Sequence, residues 1–213
     1  MGARRGQSSR IRRRPSFRRR FGLDRSGPPP RETRPGQPLR PWTIPNAIGY
    51  LRLVAIPVFC VLAFDSEGEP DIWAAVLFWF IAAGDYADGF VARATGQYSR
   101  MGALLDPVVD RLTILSGAAV CWHFELLPRW ALAALAIREV ITLVLAQVAL
   151  RYGQPLEINW FGRIAVFPVM GAIFWAMVFR SVAWDVLLVV GLVLAVLATV
   201  VYTRDGVRQL RGA

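Results

Sequence analysis

The sequence predicts an all-α, polytopic membrane protein with about six transmembrane helices and both termini in the cytoplasm. Three observations lead there. Of 213 residues, 55% are hydrophobic and the mean hydropathy is +0.40, too apolar for an ordinary soluble domain. The apolar residues come in runs near 20 residues long, the length needed to cross a bilayer as helix. The basic residues alternate sides from one intervening segment to the next, which fixes orientation.

The chain opens on a basic tail. All 25 basic residues are Arg, and 13 of them fall in residues 1–40 with only Asp24 and Glu32 to oppose them; that segment carries +11 and the other 173 residues sum to −1. Rich in Arg, Pro, Gly and Ser, residues 1–40 cannot bury enough apolar surface to offset their ordering entropy and are expected to be disordered in the cytoplasm. Such an arm suits topology setting or contact with anionic headgroups. Nucleic acid is not expected as a partner, because no stacking platform or folded nucleic-acid module accompanies the charge. No signal-peptide cleavage pattern follows the first apolar run.

Six apolar segments follow, at about 46–64, 72–92, 103–124, 130–150, 161–179 and 186–202. They make one transmembrane domain over residues 41–205, leaving 206–213 as a short cytoplasmic tail. The tail, Arg93 and Arg100, Arg151 and Arg163, and Arg204, Arg208 and Arg211 share one side. The opposite segments carry Arg129 and Arg180 among Asp65, Glu67, Glu69, Asp71, Glu125 and Asp185. The Arg-rich side is cytoplasmic. Trp73, Trp122, Trp130, Trp160 and Trp184 sit near span ends, at the level of the headgroups. Cys60 and Cys121 lie in apolar runs without metal or redox spacing and read as packing residues. His123 stands alone near a span end and reads as structural.

The second and third segments hold "DYADGFVARATGQYSRMGALLDPVVD", residues 85–110. Asp85 and Asp88 are three apart, Asp106 and Asp110 four apart, so each pair shares one helix face. An antiparallel turn between the helices lets the two faces meet. An Asp in a membrane helix costs roughly 2.5–3.5 kcal/mol, and four carboxylates facing one another repel unless a cation joins them. Hard divalent ions, Mg²⁺, Mn²⁺ or Ca²⁺, match Asp oxygens, and no His or Cys in the stretch offers Zn²⁺ a site. Four carboxylates can hold two such ions about 3.5–4 Å apart, an arrangement suited to displacement at phosphorus. Gly84, Gly89 and Gly102 would leave room for a ligand against the backbone. Arg93, one turn beyond Gly89, can meet a phosphate with two hydrogen bonds. The structural alternative is a set of interhelical Asp–Arg pairs with Arg93 and Arg111. Pro107 is accommodated if it lies in the first turn of the third helix.

Asp85-x2-Asp88-Gly89-x2-Ala92-Arg93-x8-Gly102-x3-Asp106-x3-Asp110 resembles the full signature of the CDP-alcohol phosphatidyltransferase family, eight fixed positions over 26 residues. With the six-span layout, the resemblance covers about residues 42–205. It implies a homodimeric, multi-pass enzyme of the cell membrane, its active site facing the cytoplasm. Such an enzyme transfers a phosphatidyl group from CDP-diacylglycerol to an alcohol and releases CMP. It further implies that Asp85, Asp88, Asp106 and Asp110 ligate two Mg²⁺ or Mn²⁺ ions and that Asp110 is the catalytic base. Gly89, Arg93, Ser99 and Gly102 would contact the donor, and Pro45 and Asn46 in "IPNAI" would border the nucleotide site.

For the acceptor, the candidates are Arg138 in "AIREV" and Arg163 in "WFGRIAVF", because a buried Arg in a span marks a substrate path. The Arg138–Glu139 pair resembles glycerol-3-phosphate-using members, which would make phosphatidylglycerophosphate. "FGRIA" departs from their Gly-Lys-x-Lys segment: Arg163 replaces the first Lys and Ala165 stands at the second. Glycerol 3-phosphate is the expected acceptor. Phosphatidylglycerol giving cardiolipin, inositol phosphate, and a non-enzymatic divalent-cation transporter are the alternatives. Arg138 could instead be paired with Glu139.

Overall fold

A computed structural model describes residues 37–151 and 160–212, without the side chains of 146–151, 160–163, 202 and 205–212. Six helices follow one another: α1 (Ile44–Phe64), α2 (Ile72–Thr95), α3 (Arg100–His123), α4 (Arg129–Arg151), α5 (Trp160–Val178) and α6 (Val182–Gly212). Among the described residues there is no strand.

The helix starts are written in short polar caps. Thr43 accepts from the Asn46 amide at the head of α1, Asp71 from the Trp73 amide at the head of α2, and Ser99 from the Gly102 amide at the head of α3. Each bond satisfies an amide that has no partner within the helix. Pro45 sits in the first turn of α1, where its missing N–H costs nothing. Gly96, with φ 67°, ends α2 in the left-handed conformation that favours glycine.

Three stretches are long and apolar enough to cross a membrane: α1, α2 and Val182–Val201 of α6; the described part of α5, Ile164–Val178, is apolar but shorter. The six helices stand where six spans are expected. However, α3 does not meet the same standard of apolarity, and the side chains of α4 are described only as far as residue 145. The reason in α3 is its charge: it carries Arg100, Asp106, Asp110 and Arg111. Several boundaries also differ by a few residues or more, two of them with structural consequences. α3 begins three residues early, so Pro107 lies inside the helix rather than in its first turn, where it removes one backbone hydrogen bond near Asp106. α6 runs on to Gly212 instead of stopping near residue 202. Residues 1–36 of the basic tail lie outside the described ones. Residues 37–40 of that segment are held: Leu39 O accepts from the Met101 amide at 3.1 Å, and Gln37 O from Arg100 Nη1 at 3.4 Å.

α1 packs on α2 and α3, α5 on α6, α5 also on α2 and α3, and α4 on α3 and α6. The interior holds Phe59, Phe78, Ile114, Val120, Leu132, Leu135, Ile173 and Leu188, interleaved with Ala63, Ala74, Ala75, Ala118, Ala131, Ala172 and Ala176. Small residues let helix backbones approach closely, the packing expected where lipid supplies no hydrophobic drive between helices. Large apolar side chains point outward, among them Leu51, Val54, Val58 and Val61 on α1 and Val186, Val190, Val193 and Leu197 on α6. At the end opposite the capped starts of α1 and α3, Arg180 ties three loops together. It pairs with Glu69 at 3.1 Å and donates to the carbonyls of Phe124 and Glu125.

Candidate active site

At the other end of the bundle the α2–α3 turn brings the two Asp pairs together. Asp85 and Asp110 have neighbouring carboxyl groups, and Asp106 has Asp88, Asp110 and Asp85 as its charged neighbours. Among them lies a cation that the sequence reading did not single out. Arg52, on α1 and only 3% exposed, places Nη2 at 2.8 Å from Asp110 Oδ1, Nη1 at 3.1 Å from Asp88 Oδ2, and Nη1 at 3.6 Å from Asp85 Oδ1. Its Nε donates to the Ile81 carbonyl at 2.9 Å. A planar guanidinium suits this task because its donors fork in fixed directions. The signal was available: Arg52 is the one charged residue between positions 41 and 64, and an ionisable residue inside an apolar span is a functional candidate.

Interhelical Asp–Arg pairs therefore do exist, but with Arg52 rather than Arg111. Arg111 turns away, donating from Nη1 to the Pro107 carbonyl and approaching Glu139 at 3.8 Å. Gly84, expected to leave room for a ligand, leaves room for Arg52 instead: a Cβ there would stand 2.7 Å from Arg52 Cδ. Gly102 likewise faces protein, with Asn46 Oδ1 at 2.7 Å and Ser99 Oγ at 3.2 Å from the place of a Cβ. At Gly89 the neighbour is Arg93, whose Nη1 lies 3.2 Å from that place, so the two residues share the face predicted for them.

Asn46 and Ser99 meet across 53 residues of sequence. Ser99 Oγ donates to Asn46 Oδ1 at 2.9 Å and accepts from the Gly102 amide at 2.9 Å. Asn46 Nδ2 donates to the carbonyls of Arg40 and Pro41 at 3.1 and 3.0 Å. Both side chains are buried. The network locks the segment before α1, and Pro45 with it, onto the start of α3 beside the Asp cluster.

A second polar cluster joins α3, α4 and α6. Arg138 is ion-paired with Glu139, the pairing weighed from sequence, and its Nε donates to Thr199 Oγ1 at 3.2 Å. Glu139 is 2% exposed. Arg111 Nε, buried, has no hydrogen-bond partner among the described residues. Two guanidiniums facing one carboxylate leave one positive charge in excess, one residue along α3 from Asp110. Glu139 and Arg111 were not among the acceptor candidates, because adjacency in sequence hid the pairing across helices. The side chain of Arg163 lies outside the described ones.

The residues suit a divalent cation by chemistry. Asp106 makes no hydrogen bond or ion pair with the described side chains, and Arg52 offsets one of four carboxylate charges. Unpaired half-buried oxygen donors match hard cations. Among the described residues no three such groups are yet arranged as a ligand set; three of the four carboxylates are turned toward the guanidinium.

Residues 42–201 match the CDP-alcohol phosphatidyltransferase family. The chain is 39% identical over 134 residues to a cardiolipin synthase (CMP-forming) of Streptomyces coelicolor, covering 61% of this chain and 62% of that one. It is 31% identical over 129 residues to a putative cardiolipin synthase of Mycobacterium tuberculosis, covering 60% and 61%. With a CDP-diacylglycerol–glycerol-3-phosphate 3-phosphatidyltransferase of Yersinia enterocolitica the identity is 34% over 141 residues, covering 61% of this chain and 74% of the relative. The matched region spans a little over three fifths of the length of the two cardiolipin synthases. A family match over three quarters of the sequence, joined to the Asp85–Asp110 signature gathered at one end of the helix bundle, establishes that the chain belongs to the CDP-alcohol phosphatidyltransferase family.

Proposed function

We propose that the protein transfers the phosphatidyl group of CDP-diacylglycerol to phosphatidylglycerol, forming cardiolipin and releasing CMP. The observation that carries the acceptor is the state of Arg138. Its guanidinium is already given to buried Glu139 and to Thr199, so the Arg111–Glu139–Arg138 cluster offers one net positive charge. That matches the single charge of a phosphodiester better than the dianion of glycerol 3-phosphate. Ala165, at the position of a second Lys, is buried and adds no charge. The relatives named cardiolipin synthase support the same reading. Glycerol 3-phosphate, expected from the Arg138–Glu139 sequence, is the second reading, favoured by the Yersinia relative.

Asp85, Asp88, Asp106 and Asp110 would hold two Mg²⁺ or Mn²⁺ ions, which when bound neutralise charge on the donor pyrophosphate. Arg93, lying along Gly89, holds the donor's phosphates from the same helix. Pro45 and Asn46, pinned by Ser99, border the nucleotide. Asp110 would offer a carboxylate oxygen to the acceptor hydroxyl as general base. The hydroxyl oxygen bonds to the phosphorus that bears diacylglycerol, its proton passes to Asp110, the bond from that phosphorus to the bridging oxygen breaks, and CMP leaves with the electron pair. Both termini and the Asp cluster face the cytoplasm in this reading, as the Arg distribution requires. The working unit is a homodimer in the cell membrane, as the family resemblance implies. A divalent-cation transporter is disfavoured: below the cluster the packed interior is Phe59, Phe78, Ile81 and Ile114, with no string of acids among the described residues.

CMP release by the purified full chain in detergent, with CDP-diacylglycerol and Mg²⁺, tests the proposal. Release that depends on phosphatidylglycerol supports it, and release only with glycerol 3-phosphate moves the assignment to phosphatidylglycerophosphate synthesis. No release with any alcohol, alongside metal flux in liposomes, overturns the enzyme reading.

A further inference from the structure

We propose that Arg52 is a positioning residue, the built-in counter-cation of the Asp cluster. It holds Asp85, Asp88 and Asp110 together while no divalent ion is bound, and yields that neutralising role when the ions load. The inference rests on the metal-dependent reading above.

Three features of the site carry it. The guanidinium stands among the carboxylates, in contact with three of the four and from a different helix than any of them. It is anchored independently of them, since Nε donates to the Ile81 carbonyl. Space is kept for it by Gly84, where a Cβ would collide with Arg52 Cδ, Cγ and Nε at 2.7, 3.0 and 3.3 Å. Without a cation, four carboxylates converging from α2 and α3 would repel and part the two helices at this end. A buried charge pair that loses one partner leaves the other uncompensated, which is strongly destabilising. A tethered guanidinium limits this while no divalent ion is bound, because its one charge is shared among three of the carboxylates. The ligands are then already gathered when a metal arrives.

The test is thermal unfolding of the purified full chain in detergent, without lipid substrate, followed by tryptophan fluorescence in EDTA and across a Mg²⁺ titration. Arg52→Gln should lower Tm in EDTA by on the order of 10 °C. Mg²⁺ should restore most of the loss, so its stabilising shift exceeds that of the unsubstituted protein. Arg52→Lys, which keeps the charge but not the fork, should fall between. In an Asp88→Asn background, with one carboxylate fewer to neutralise, the cost of Arg52→Gln in EDTA should shrink. Unchanged Tm in EDTA would overturn the proposal. So would a loss that Mg²⁺ does not repair and that is the same in the Asp88→Asn background, because that is how a packing role behaves. Should Arg52→Gln not yield folded protein even in Mg²⁺, Arg52→Lys with and without Asp88→Asn carries the same comparison. None of these readings needs turnover. Absent CMP release would sink the enzymatic proposal and leave this one standing, and uncoupled substitutions in an active enzyme would do the reverse.

Discussion

Gly84→Ala is the sharpest test of how tightly the site is built. The added methyl would stand 2.7 Å from Arg52 Cδ and 3.0 Å from Cγ. Carbon atoms prefer about 3.5–4.0 Å, so one partner must move by about 1 Å. A flexible chain end could do so cheaply, but Cγ and Cδ are mid-chain, and the group beyond them is pinned at 2.9 Å to Ile81 O, 3.1 Å to Asp88 and 2.8 Å to Asp110. A shift of that size carries at least one of these bonds past the range of a hydrogen bond. Overpacking costs about 1–3 kcal/mol, and a lost hydrogen bond to a charged group about 1.5–3 kcal/mol. Together they predict a loss of about 3–5 kcal/mol, or roughly 6–20 °C in Tm. Thermal unfolding in detergent measures it. In an Arg52→Ala background the obstructing atoms are gone, and adding the methyl should cost under about 1 kcal/mol, since atoms that do not meet do not couple. A Gly84→Ala protein with unchanged Tm, or a cost that persists without the Arg52 side chain, would refute the close packing of Arg52 against Gly84.

Three further outcomes follow. Asp110→Asn should lower CMP release by about 10²–10⁴-fold while CDP-diacylglycerol still raises Tm; retained turnover would remove Asp110 as the base. Ser99→Ala deletes both the cap of α3 and the bond to Asn46 and should cost about 1–2 kcal/mol in unfolding experiments; an unchanged midpoint would mean that the network does not tie the start of α1 to α3. Removing residues 1–36 should leave turnover in detergent intact. Removing residues 1–41 should lower Tm as well, because Leu39 O, Arg40 O and Pro41 O then no longer accept from Met101 and Asn46; equal stability of the two truncations would contradict the held segment.

The sequence by itself determined the helices and the family signature at one end of them. Apolar runs of bilayer length can only be helical where no water satisfies the backbone. The spacing of three and four within residues 85–110 places each Asp pair on one face before any fold is known. Which charges meet across helices was decided by tertiary structure. Arg52 lies 36 residues from Asp88 and 58 from Asp110, and nothing local says that α1 packs between them. For the same reason Gly84 and Gly102 looked like open space in sequence, while the fold fills their surfaces with Arg52 and Asn46. The Arg138–Glu139 pair was visible as neighbours, but Arg111 and Thr199, from α3 and α6, complete it only once the bundle has closed. Periodicity encodes what one helix presents; the sum of charges at a site depends on which helices share it.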